Sequence, residues 1–147
     1  GVHFGANAIE RGHLAGWTAA SYSAVLCGLV GAAVAFFPGL WANLFTQAET
    51  VRDACRTYLQ IVGPFYAFYG VSLCLYFASQ GAGRVLWPVT ASVVRVVVIV
   101  LGCFALASES DASEAQFFWV IAAALVVQGL LTAVAIRFGA WRVGQGA

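Results

Sequence analysis

The chain has 147 residues, of which 62% are hydrophobic and only 9% charged, and its formal net charge is +1. Its mean hydropathy of +0.88 sets it apart from soluble domains, in which about 25% of residues are charged. A near-neutral balance with scattered Arg offers no basic field, so nothing supports nucleic-acid binding.

No charged residue occurs between Arg11 and Glu49, from Thr57 to Gly83, or from Ala115 to Ile136. A hydrocarbon layer roughly 30 Å thick requires about 20 apolar residues per helix, and these runs meet that length. They are continuous rather than alternating, which speaks against a transmembrane β-barrel and for helices that satisfy their own backbone polar groups. The sequence therefore reads as an all-α integral membrane protein with four transmembrane helices, its solvent partner the lipid bilayer. The expected order is a cytoplasmic connecting segment 1–13, helix 14–37, an extracellular loop 38–56, helix 57–79, a cytoplasmic turn 80–85, helix 86–107, an extracellular loop 108–114, helix 115–136 and a cytoplasmic tail 137–147.

The opening stretch carries Glu10, Arg11 and His13 rather than a basic region feeding a short apolar core, so it does not read as a signal peptide. With neither a starting Met nor an internal one, the sequence is expected to be a fragment of a longer chain. The first span then presents small residues at steps of four, Gly16, Ala20, Ala24, Gly28 and Ala32. Lipid gives little hydrophobic drive for helix pairing, so small residues that admit close backbone approach are the expected packing seam.

Gly63 and Pro64 interrupt the second span near its start. Proline lacks a backbone donor and clashes with the preceding turn, so a bend is expected there, and Pro64 is the hinge candidate. Beyond it Tyr69, Ser72, Tyr76 and Gln80 recur at steps of three and four and share one face, extended backwards by Phe65, Val62 and Tyr58. Phenols and hydroxyls in a low-dielectric medium need partners. A wet cavity with aromatic walls would supply them, and so would hydrogen bonds to neighbouring helices. On the first reading, Tyr69, Ser72, Tyr76 and Gln80 are substrate-cavity candidates.

Arg95 is the costly residue of the third span, placed by the 1.5 Å rise roughly 14 Å beyond Leu86 and so near mid-bilayer. A guanidinium at that depth costs on the order of 3 kcal/mol on insertion scales. No carboxylate falls within the four spans, so water, carbonyls or a residue elsewhere must solvate it, unless its stem snorkels to an interface. Gln128, central in the fourth span with Thr132 one turn later, is expected to join Arg95 in a buried polar network as helix-pairing glue. Cys27, Cys55, Cys74 and Cys103 have neither the spacing nor the neighbouring His of a metal site and read as packing residues, so no metal and no tightly bound cofactor is expected.

Trp17, Trp87, Trp119 and Trp141 fall near span boundaries, where indoles anchor at the interface. Arg11, Arg84, Arg137 and Arg142 lie on one side of a four-span layout. Arg52 and Arg56 lie on the other, with Glu109, Asp111 and Glu114. The bias places both ends in the cytoplasm of a multi-pass protein of the cell membrane.

The stretch from Phe77 through Gln80-Gly81-Ala82-Gly83-Arg84 to Trp87-Pro88 and Arg95 is no phosphate cradle, because it joins two membrane spans rather than a strand and a soluble helix. It resembles the C-terminal half of multidrug and toxic compound extrusion transporters, the MATE family. Gly1, Gly5-Ala6-Asn7 and Glu10-Arg11 look like that family's cytoplasmic connection. Leu44-Phe45-Thr46, Val51, Ala54 and Tyr58-Leu59-Gln60-Ile61 look like its extracellular link. Val2-His3 and Ala48-Glu49 depart from the family pattern, and Tyr69, Ser72 and Tyr76 stand on the span where some members carry an acidic cation ligand.

The resemblance covers the whole chain and implies the last four helices of a twelve-helix transporter, forming part of one six-helix lobe. It implies the missing N-terminal helices as partners, small organic substrates and sodium or proton as coupling ion. The implied activity is export of amphipathic or cationic organic compounds, a multidrug efflux antiporter rather than an enzyme. The alternative is a non-transporting four-helix scaffold or accessory subunit.

Overall fold

A computed structural model describes residues 9–45, 48–109 and 112–140. The described residues form helices α1 (Ile9–Phe36), α2 (Pro38–Phe45), α3 (Glu49–Val62), α4 (Tyr66–Gly81), α5 (Leu86–Ala107) and α6 (Glu114–Ala135). A 3-10 turn, Gly63–Phe65, joins α3 to α4, and α6 runs on into a π-helical turn, Ile136–Ala140. Among the described residues four stretches are long and apolar enough to cross a membrane: Glu10–Phe36, Glu49–Gly81, Leu86–Ala107 and Glu114–Phe138.

Two expectations change at the element boundaries. The segment 38–56, expected as a loop, is helical over Pro38–Phe45 and again from Glu49. The opening of α3 is amphipathic, which suits a helix starting in the polar interface before entering hydrocarbon. There Arg52 pairs with Glu49 at 3.6 Å, Arg56 with Asp53 at 3.3 Å, and Arg52 Nη1 donates to Asn43 Oδ1 at 3.4 Å, tying α2 to α3. At the other end α1 begins at Ile9 rather than Leu14. The residues Gly1, Gly5, Ala6, Asn7, Thr46, Asp111, Trp141 and Arg142, used in the sequence reading, lie outside the described residues.

Pro64 and Pro88 act with opposite results. At Pro64 the missing donor falls between two helices, and the ladder tightens to the bond from the Tyr66 N–H to the Gly63 carbonyl. Pro88 sits in the first turn of α5, where its nitrogen needs no partner, and the helix tolerates it. The α4–α5 reversal ends α4 with Gly83 at φ +69°. The Gly83 N–H donates to Gln80 O at 3.0 Å and the Arg84 N–H to Ser79 O at 2.9 Å, a Schellman closure that a left-handed glycine makes available.

Helix α4 is the centre of the bundle, packed on one side by α1 and on another by α6. Against α1 the backbones nearly touch: a Cβ on Gly31 would overlap the Gly63 carbonyl oxygen, and one on Gly70 would lie 2.8 Å from Cys27 Sγ. Ser23 Oγ adds a hydrogen bond of 3.0 Å to the Gly70 carbonyl. Against α6 a Cβ on Gly129 would lie 2.8 Å from the Phe68 carbonyl oxygen.

The small-residue seam expected on α1 lies beside the tightest line of contact with α4. Gly16 and Ala20 are buried, while Ala24, Gly28 and Ala32 are only partly so. The stripe still touches α4, since a Cβ on Gly28 would lie 3.4 Å from Ala67 Cβ, but the tightest approaches belong to the row one residue earlier, Ser23, Cys27 and Gly31.

Candidate functional site

One cleft, of about 150 Å³, opens between α4, α5 and α6 and is lined by Tyr69, Ser72, Leu73, Tyr76, Ser92, Arg95 and Gln128. It gathers three of the four expected cavity residues and both members of the expected polar network. Gln80 is exposed at the end of α4 and is not among the lining residues. Helix geometry explains the grouping: positions 69, 72, 73 and 76 return to one face of α4, and 92 and 95 to one face of α5.

The cleft floor is a connected set of polar side chains. Thr132 Oγ1 donates to the Gln128 carbonyl at 2.9 Å, so at 3.2 Å it accepts from the Ser72 hydroxyl. Ser72 is 2% exposed and Thr132 fully buried; their bond joins α4 to α6. Gln128 Nε2 in turn donates to Ser92 Oγ at 3.1 Å, joining α6 to α5. Such interhelical bonds contribute about 0.6 kcal/mol on average in membrane proteins, enough to hold register but small beside close backbone packing.

Arg95 closes one wall. Its guanidinium carbon stands 6.0 Å from the centroid of the Tyr69 ring, a cation–π distance, and its Nε is buried without a partner. Arg52 and Arg56, both in α3, are ion-paired with Glu49 and Asp53. A fixed positive charge thus faces a partly open, aromatic-walled cleft within an apolar bundle. At the far end of the stripe Tyr58 meets Tyr66, their hydroxyls 3.4 Å apart, and stacks edge-on against Phe118 at 5.4 Å. Those phenols serve packing rather than the cleft.

A larger groove of about 340 Å³ lies between α5 and α6, walled by Trp87, Thr90, Ala91, Val94, Leu131, Val134 and Ala135. It is almost wholly apolar and contains no charged residue, as a lipid-facing groove should be, so the Arg95 cleft is the candidate site. Sequence reasoning missed Ser92. Its signal was present, since it sits one turn before Arg95 on the same face of α5. Among the described residues no group of three or more His, Cys, Asp or Glu could hold a metal ion.

The MatE family profile matches residues 1–105. The chain belongs to the MatE family. It is a MATE transporter domain of a multi-pass membrane protein, all-helical, and its family is one of transporters rather than enzymes. That membership takes the place of the scaffold alternative. No curated protein and no solved structure gives a match.

Proposed function

We propose that this MATE domain takes part in secondary active export of amphipathic or cationic organic compounds, driven by inward flow of sodium ions or protons. The observation that carries the reading is membership of a transporter family, and the aromatic rings and hydroxyls of the Arg95 cleft inside an otherwise apolar bundle suit the amphipathic members of that substrate class. Substrates with a flat apolar body and a polar end match such walls.

In this reading the cleft faces the interior between two lobes, both chain ends lie in the cytoplasm, and lobe movement alternates access. The 3-10 turn at Gly63–Phe65 is the hinge, because it separates α3 from α4 and Pro64 has no amide proton to lock the junction. The test is efflux of fluorescent amphiphiles from energised vesicles containing the full-length protein. Efflux that stops when both the sodium and the proton gradients are collapsed supports the proposal. Efflux indifferent to both gradients refutes it, and adding back one gradient at a time identifies the coupling ion.

A further inference from the structure

Two buried polar atoms at the cleft lack partners: Nε of Arg95, a donor, and Oε1 of Gln128, an acceptor. Gln128 is 6% exposed. The orientation of its amide follows from its neighbours. Ser92 Oγ spends its proton on the Pro88 carbonyl at 3.0 Å, so toward Gln128 it can only accept, and the amide nitrogen must face it at 3.1 Å. The carbonyl oxygen is left over. Buried donors and acceptors are rarely left unpaired, and here the two side chains that carry them line a single cleft.

A ligand that satisfies both atoms has a definable chemistry. It must accept a hydrogen bond from Arg95, donate one to Gln128, and tolerate a permanent positive charge. A carboxylate matches the guanidinium fork, whereas a purely cationic ligand would set like charge against like. Tyr69, Leu73 and Tyr76 supply an aromatic and apolar wall beside the charge. The volume of about 150 Å³ is below the roughly 300–1,000 Å³ of a site enclosing a whole drug-sized ligand, so the cleft holds only a polar end and leaves the rest of the molecule across its mouth.

We propose that this cleft is a head-group subsite for the carboxylate of an amphipathic organic acid or zwitterion. Arg95 binds the carboxylate, Gln128 Oε1 accepts from a hydroxyl or ammonium of the same ligand, and Tyr69 and Tyr76 flank its apolar body. The proposal rests on the export reading and narrows its substrate class.

The test uses the full-length protein in nanodiscs of neutral lipid, with empty nanodiscs correcting for partition. Three fluorescent probes are compared: 2-naphthoate, 6-hydroxy-2-naphthoate and 2-naphthylmethylammonium. The native protein should bind the naphthoates about tenfold more tightly than the ammonium, with a further gain of about fivefold for the hydroxyl. Arg95→Gln should abolish the charge preference, Arg95→Lys should retain it, and Gln128→Leu should remove only the hydroxyl gain. Equal binding of the three probes by the native protein, or a preference surviving Arg95→Gln, overturns the subsite. If Arg95→Gln does not assemble, the native ranking and the Gln128→Leu result decide. Gradient-driven efflux of cations without carboxylate preference would remove the subsite and leave export standing. Carboxylate binding without gradient-driven efflux would do the reverse.

Discussion

The two sides of α4 are built on opposite principles. Toward α1, α4 presents Gly70 to Cys27 and the 3-10 turn before it presents Gly63 to Gly31, with one side-chain hydrogen bond from Ser23. Toward α5 it presents Tyr69, Ser72, Leu73 and Tyr76 to a cleft that also takes Arg95. The first side leaves no space and the second leaves two polar atoms without partners. A membrane helix gains dispersion energy from close contact and little from hydrophobicity, so the dry side holds the bundle together. The open side contributes interhelical hydrogen bonds of about 0.6 kcal/mol each, so a cleft there costs the bundle little.

Substitutions can break this contrast. The largest effect is expected at Gly31→Ala, whose methyl has only the Gly63 carbonyl to move into. Overpacking of that kind costs about 3 kcal/mol, read as a lowered midpoint for unfolding in detergent. Unaltered stability would show that the α1–α4 crossing is not the rigid side.

Gln128→Leu should be far milder, shifting the same midpoint by under about 1 kcal/mol. It loses the bond to Ser92, worth about 0.6 kcal/mol, and at the same time removes an unpaired buried acceptor, whose cost has the opposite sign. A collapse of the bundle in this variant would make the polar cleft structural. Pro64→Ala should leave insertion and the unfolding midpoint near native while reducing export several-fold, about 1 kcal/mol on the transport barrier. Export at the native rate would remove the 3-10 turn from the mechanism. The smallest effect is expected at Gly28→Ala, where the new methyl meets Ala67 Cβ at 3.4 Å, ordinary contact. Its midpoint should move by less than about 0.5 kcal/mol, and a larger shift would move the tight crossing toward the seam first read from the sequence.

That seam illustrates where sequence reading runs out. Gly16, Ala20, Ala24, Gly28 and Ala32 are small and regularly spaced, yet spacing alone does not say which small residues meet a neighbour's backbone. Gly31 and Gly63 are far apart in sequence, and only their encounter makes either one indispensable. The cleft was more legible. Tyr69, Ser72 and Tyr76 share a face by arithmetic on the helical repeat, and the cost of Arg95 and Gln128 in hydrocarbon marks them wherever they sit. Gln80 shares the same face and lies outside the cleft, because α4 ends there and the chain turns at Gly83. Ser92 is too small and too tolerable in a membrane helix to attract notice until Gln128 is seen to donate to it.

Composition and the charge-free runs by themselves determined that the chain is an all-helical bundle spanning a bilayer, because burying backbone in hydrocarbon leaves few alternatives. The motif around Gln80–Arg84 and the span order carried the family likeness. Which helices touch and which stand apart was decided only in three dimensions. Periodicity tells which residues share a face. Whether that face meets a glycine, a serine or an open cleft depends on residues brought from other helices, and on whether their backbones can come close enough to exclude everything else.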